Sequence, residues 1–414
     1  MARVLLLLPT TTYRAPDFLA AARKLGVDVT VASEEPSTLE GVNPAGLLTL
    51  DLGDPEECAR KALEFSLRHP ISAVVGVDEE TSVAAAEIAS ALGLPHNPRG
   101  AAEAARNKAL MRKALSAAGV PCPRHSVFDV DEGPAGAARR SRYPCVLKPT
   151  FLSGSRGVIR ADDEPEFVAA WTRIARILRE PDVRRKGGAA ANEILVEDFV
   201  PGVEVAVEGL LREGELEVLA VFDKPDPLPG PFFEETIYVT PSRLSDDAQR
   251  AIADVTARGC RALGLVDGPV HAELRHNDLG PWLIELAARS IGGLCSRTLR
   301  FGAGMSLEEL ILRHALGMEL GGSQRDPRAA GVMMIPVPAA GRLVRVEGLD
   351  AARAVPNIEE VTITARPGQT LVPLPEGSRY PGFLFSRAET PSRAEAALRE
   401  AHARLRFVIV APGS

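Results

Sequence analysis

Short apolar runs alternate with stretches of helical period through the first hundred residues. Residues 3–8, Val27–Ala32 and Ile71–Val77 are apolar and bounded by turn residues, the pattern of strands buried on both faces. Between them, Pro16–Leu25 and Thr81–Leu92 carry helical periodicity, closed by Gly26 and Gly93. This alternation predicts an α/β unit with a parallel sheet covered on both sides.

A second unit begins near Asn97-Pro98-Arg99-Gly100, with a helix predicted over Ala101–Ala118 and stopped by Gly119 and Pro121. Tyr143–Lys148 is a short strand that runs into the loop Phe151–Val158, and Glu166–Arg179 is an amphipathic helix. Ile194–Phe199, Val203–Leu211 and Leu216–Phe222 predict antiparallel strands. Pro225–Pro231 holds four prolines in seven residues, which predicts a projecting irregular loop. A helix follows over Asp246–Leu263. The last third holds strands at Leu343–Val346 and Val361–Thr364 and a helix at Arg393–Arg404, an α+β pattern.

The 414 residues fit two or three domains, and the 45% apolar and 25% charged composition is that of a globular protein. Lys and Arg number 48 against 55 Asp and Glu, a net charge of −7, so a basic face for nucleic acid is not expected. No apolar run reaches the about 18–20 residues that cross a bilayer. The opening run at Val4–Leu8 is too short for a signal sequence and reads as a buried strand. Five cysteines without close pairs suit neither a disulfide framework nor a zinc site, and they point to the reducing cytoplasm. Neither G-x-G-x-x-G after the first strand nor a Walker A loop is present, and the H-E-x-x-H and G-x-S-x-G motifs are also absent.

Two features carry chemistry. His271–His276 alternates, with Ala272 and Leu274 on one face and His271, Glu273 and Arg275 on the other. Residues 277–281 are turn chemistry, and Trp282–Ala287 alternates again. With a five-residue loop, His276 pairs with Trp282 and Glu273 falls opposite Glu285. Opposed side chains stand about 4.5–5.5 Å apart, and two carboxylates there repel by about 3 kcal/mol at an effective dielectric near 20. Either Arg275 or Arg289 compensates them in a salt-bridge network, or a hard divalent cation such as Mg²⁺ sits between them. The second feature is Ser153-Gly154-Ser155-Arg156-Gly157, whose glycines allow successive N–H groups to face an anion, with Lys148 just upstream.

In order along the chain, Asn107–Arg112, Tyr143–Pro149, the Ser153–Gly157 loop, Val196–Glu204, Glu273 and Glu285–Arg289 resemble the motifs of the ATP-grasp superfamily over about residues 97–317. The resemblance implies an α/β domain over 1–98, an ATP-grasp domain over 99–317 with a nucleotide-covering subdomain over about 122–200, and a small C-terminal α+β domain over 318–414. It implies ATP and Mg²⁺, with Mn²⁺ as the alternative metal. Lys108 and Lys148 would meet the phosphates, and Ser153, Gly154, Ser155 and Gly157 would cover them. Glu197, Asp198, Phe199 and Val200 would form the adenine hinge, and Glu204 would hold the ribose. Glu273 and Glu285 would bind the metal. Arg289, with Lys148, would serve the transferred phosphoryl or the substrate carboxylate.

Many members have Asn two residues after the second glutamate, where this chain has Ala287. The form Glu285-x-x-x-Arg289-x-x-Gly292-Gly293, with the 223–236 segment, resembles the L-amino acid ligase branch, which makes Lys224 and Glu235 candidates for substrate contact. The expected activity is carboxylate–amine ligation through an acyl phosphate on amino acid substrates, in a homodimer without nucleic-acid or membrane partners. The alternatives are a bicarbonate-activating carboxylase and a non-catalytic nucleotide-binding protein. Glu79 and Glu80, after the third strand, are candidates for a substrate amino group.

Overall fold

The structure, a computed structural model, describes residues 2–411; Met1 and residues 412–414, the extreme ends of the expected domain division, lie outside it. Four parallel strands open the chain, in the order Leu47–Thr49, Asp28–Ser33, Arg3–Leu7, Ala73–Gly76. The unbroken apolar run Val4–Leu7 explains the burial of this strand on both faces. Leu5 and Leu7 pack with Phe65 and Ile88, while Val4 and Leu6 pack with Phe18, Leu310 and Ile311. The helix Leu307–Ala315 thus belongs to the wall that closes this sheet, although it lies far along the sequence.

The helix expected over Ala101–Ala118 is two helices, Arg99–Arg106 and Lys108–Ala117. Asn107 takes an extended conformation (φ −101°, ψ 111°), and its side chain accepts from the Ala109 and Leu110 N–H groups as an N-cap. A cap at that position ends one helix and starts the next. It also leaves the Lys108 N–H to donate to the Thr150 carbonyl at 2.7 Å, which ties this helix start to the strand carrying Lys148.

Two antiparallel sheets face each other beyond it. One has the order His125–Asp129, Glu193–Asp198, Cys145–Pro149, Ile159–Ala161, backed by Phe167, Trp171 and Ile174 of the helix Glu164–Leu178. The other has eight strands, from Gly280–Ala287 through Gly268–Asn277, Val203–Arg212, Glu215–Lys224, Ile237–Thr240, Ala329–Met334 and Gly382–Ala388 to Ile358–Ile363. The helices Asp246–Leu263 and Pro391–Ala403 bury its apolar face. This sheet runs without a break past residue 317, because Ile237–Thr240 pairs with Ala329–Met334. A small sheet, Thr370–Leu371, Gly341–Glu347 and Arg406–Val410, completes the C-terminal part.

The proline-rich loop packs rather than projects. Arg160 donates to the Pro229 carbonyl at 2.7 Å and Arg275 to the Leu228 carbonyl at 2.7 Å, so two guanidiniums take up the carbonyls that prolines leave without ladder partners.

Candidate active site

The cleft between the two antiparallel sheets collects residues from widely separated segments. Lys148, on the strand Cys145–Pro149, and Glu197, on its neighbour, lie on one face of the small sheet. The Glu197 carboxylate is buried, with Lys148 Nζ at 2.6 Å and Arg112 Nε at 2.5 Å; the arginine contact is an ion pair rather than an aligned hydrogen bond. Burial would raise the Glu197 pKa, but the two cations outweigh it and hold the group at about 2. Burial, joined by the charges of Arg112 and Lys108, pushes the Lys148 ammonium down against the pull of Glu197. Arg112 stands one turn after Lys108, and i, i+4 spacing puts both on one helix face. That spacing was the available sequence signal for Arg112.

The glutamate hairpin has the predicted partner by a different route. The loop is shorter than five residues: Asn277 pairs with Gly280, His276 with Pro281 and Arg275 with Trp282. On that register Glu273 would miss Glu285 by one. A β-bulge at Ile284 inserts the extra residue and restores the pair Glu273–Glu285. The guanidinium of Arg112 donates to the bulge carbonyl of Ile284, so one arginine supports both the hinge glutamate and the bulge.

The cations nearest these carboxylates are lysines, while Arg289 acts on Glu285 at longer range. Lys108 Nζ lies 3.4 Å from Glu285 and donates to the Leu152 carbonyl at 2.8 Å. Lys224 Nζ is 2.8 Å from Glu204 and 3.3 Å from Glu273, and it also contacts Glu235. Arg275 pairs with Glu204 at 2.9 Å, and Arg289 with Glu79 at 3.0 Å. Lys224 is buried behind the three carboxylates and is not among the residues lining the two cavities described below.

Ligand oxygens of Glu204, Glu235 and Glu273 lie within 4.8 Å of one another. Lys224 and Arg275 bring two fixed positive charges to these three partly buried carboxylates. Burial and the charge of Glu273 raise Glu235 to about 7, against the pull of Lys224, while Lys224 and His271 outweigh burial to keep Glu273 well below the usual carboxylate range. Glu273 and Glu285, paired across the hairpin, offer only carboxylate oxygens, a donor set that suits a hard divalent cation. Glu285 stands outside that trio and faces the same cleft.

The glycine-serine loop turns as expected. Gly154, Ser155 and Gly157 have φ of 63°, 55° and 73°. A Cβ on Gly157 would come 2.9 Å from Pro149 Cγ, so only glycine fits that turn. Ser153, Gly154 and Ser155 line the cleft; Gly157 does not, and its N–H donates to the Pro375 carbonyl at 2.9 Å.

Two adjoining cavities share this loop. The first is lined by Lys108, Lys148, the hinge residues Glu197, Asp198, Phe199 and Val200, and Glu204. The guanidinium carbons of Arg160 and Arg275 lie 4.1 and 4.9 Å from the centre of the Phe199 ring. The second cavity, of about 270 Å³, is lined by Thr11–Arg14 and Asp78–Glu80 of the N-terminal unit, by Arg289, and by Ser378–Tyr380. Ser153, Gly154, Ser155, Glu235, Glu273 and Glu285 line both. Glu79 is spoken for by Arg289, and Glu80 pairs with Lys186 at 2.9 Å.

Three segments match family models: residues 19–96 an ATP-grasp N-terminal domain, residues 141–298 an ATP-grasp domain, and residues 333–410 the L-amino acid ligase C-terminal domain 2. The chain belongs to the ATP-grasp superfamily. Its fold is similar to the crystal structure of an L-amino acid ligase from Bacillus licheniformis, with a TM-score of 0.84 and 27% identity over 99% of each chain. It is 28% identical over 272 residues to an alanine–anticapsin ligase of Bacillus subtilis, covering 62% of this chain and 56% of that protein, so the match spans little more than half the relative's length. A carboxyaminoimidazole ribonucleotide synthase from Aspergillus clavatus, complexed with ATP, shares the fold at 18% identity and a TM-score of 0.74 over 98% of this chain and 99% of that one. Among the described residues, no helix of this ATP-grasp protein is long and apolar enough to cross a membrane.

Proposed function

We propose that this ATP-grasp protein is an ADP-forming ligase that joins the carboxylate of one amino acid to the amine of another. The observation that carries this reading is the seam between the two cavities, where the loop Ser153–Ser155 and the carboxylates Glu273 and Glu285 belong to both. A reaction in which a nucleotide and a small acid meet needs such a boundary, and the C-terminal match to L-amino acid ligases supports an amide-forming outcome.

In this reading the first cavity takes ATP. The hinge at Glu197–Val200 receives the adenine, Glu204 the ribose, and Lys108 and Lys148 the phosphates under the Ser153–Ser155 loop. Glu273 and Glu285 would hold Mg²⁺, or Mn²⁺ in its place, which supplies neutralising charge beside the phosphates. Ala287 has no ligand atom, so the rest of the metal shell falls to phosphate and water. In the first step a carboxylate oxygen of the acid attacks the γ-phosphorus and the bond to the bridging β,γ-oxygen breaks, giving ADP and an acyl phosphate. In the second, the amine nitrogen attacks the acyl carbon, the carbon–oxygen bond to phosphate breaks, and the nitrogen passes a proton to the departing phosphate. Arg289, half-buried and paired with Glu79, offers its planar fork to the acid or the transferred phosphoryl. The chain's contribution is alignment and fixed charge, and the loop keeps water from the acyl phosphate. We also place the protein in the cytoplasm as a homodimer, with domain divisions at 98/99 and 317/318.

The reading predicts that ADP release, followed by a coupled assay, requires acid and amine together and yields an amide. ADP formation driven by bicarbonate without an amine would favour the carboxylase reading instead.

A further inference from the structure

The second cavity holds three arginines, and two of them are already committed. Arg14 is buried, donating to the Val77 carbonyl at 2.9 Å and to Ser290 Oγ at 2.7 Å, with Glu308 at 3.7 Å. Arg289 pairs with Glu79 and donates to the Ser290 carbonyl at 3.0 Å. Lysines 108, 148 and 224 are paired as well. Arg379 differs: among the described residues it makes neither a hydrogen bond nor an ion pair, and it is exposed at the cavity wall beside Ser153–Ser155.

Its backbone is fixed on both sides. The Gly157 N–H donates to the Pro375 carbonyl, Arg156 Nε to the Glu376 carbonyl at 2.8 Å, and Thr364 to the Tyr380 carbonyl at 2.8 Å. Glu376 is itself gripped through both oxygens by Arg173, at 2.5 and 2.8 Å. The guanidinium acts across the cavity on Tyr13, opposing the burial that raises that hydroxyl's pKa. Arg379 therefore stands at a set place between the phosphate loop and the N-terminal wall, with its donors unused.

Two amino acids entering this site bring two carboxylates. One reacts with the phosphoryl group at the seam. The other, on the amine-donating substrate, survives into the product and must be desolvated beside a wall that already carries Asp78, Glu79, Glu80, Glu235, Glu273 and Glu285. An unpaired carboxylate in that company is strongly disfavoured, and a free guanidinium is its natural bidentate partner.

We propose that Arg379 binds the carboxylate of the amine-donating substrate and so selects an amino acid over a simple amine. This rests on the ligase reading above. The test is a competition in one vessel: wild type, Arg379→Ala and Arg379→Gln each receive ATP, the twenty common L-amino acids and an equal concentration of their C-terminal amides. Mass spectrometry then reads the ratio of free-acid to amide-ended dipeptides. Wild type should favour the free-acid products, and both variants should lower that ratio about 10- to 100-fold, the worth of one charge-assisted bond. An unchanged ratio, or an equal loss of both products in both variants, overturns the role of Arg379 and leaves the ligase reading standing. Absence of any dipeptide from wild type overturns the ligase reading itself, and this inference with it.

Discussion

Replacing Glu197 with glutamine is expected to lower the stability of the protein by about 3–5 kcal/mol, the effect of removing one partner from a buried ion pair. The reason is the company it keeps. Arg112 is fully buried and Lys148 nearly so, and without Glu197 two cations face each other in an apolar interior. Urea unfolding followed by circular dichroism measures the change. The acid limb gives an independent check. Glu197 titrates at about 2 in the folded chain and near 4.5 when unfolded. A depressed carboxylate pKa gives stability that is complete above the unfolded value and lost as pH falls through the folded one. The gap between wild type and Glu197→Gln should therefore be full above pH 4.5 and narrow as pH falls toward 2. A constant gap across that range would contradict the ionic role.

Glu285→Gln and Glu273→Gln are each expected to lower kcat by at least about 100-fold, since even partners one shell out from a metal ligand are worth 10- to 100-fold. The two should differ in their side effects. Glu285→Gln leaves Lys108, 95% buried, without its carboxylate, and should lower the thermal midpoint. Glu273→Gln removes one of three crowded carboxylates, and should bring the Glu235 pKa down from about 7 toward ordinary values, because the charge of Glu273 is, after burial, what raises it. Carbon-13 NMR of the glutamate side chains reads that shift. Full turnover in both variants would contradict the metal-holding role of the two glutamates, whereas nucleotide binding without turnover in the wild type would point to a non-catalytic nucleotide-binding protein.

The sequence was most informative where local rules act alone. Arg3–Leu7, with its unbroken apolar run and the turn that follows, reads as a strand buried on both faces, and the alternation of His271–His276 puts Ala272 and Leu274 in the core and Glu273 on the cleft face. Asn107 was in plain view, yet a cap inside a helical pattern reads as an ordinary polar residue until the chain folds back to offer the Thr150 carbonyl. The hairpin is the instructive case. The expected loop is three residues too long, which puts the register off by one, and a bulge at Ile284 returns Glu285 to Glu273; a bulge has no signature in alternation, since Trp282–Ala287 looks regular. The lysines that balance the glutamates come from residues 108 and 224, far from the hairpin in sequence, and nearest-neighbour reasoning offered Arg275 and Arg289 in their place. The strand Ala329–Met334, which extends the large sheet, opens on Ala329, Ala330 and Gly331, residues of low strand propensity that give little sequence signal.

The central claim is that a carboxylate oxygen attacks the terminal phosphorus of ATP. It is tested most directly by supplying the acid with both carboxylate oxygens as oxygen-18, in the presence of the amine, and measuring the isotope in the released phosphate. Attack by the carboxylate followed by amine displacement predicts one labelled oxygen in each phosphate and the other in the amide. Unlabelled phosphate alongside ADP would mean that the phosphoryl group never passed through the acid.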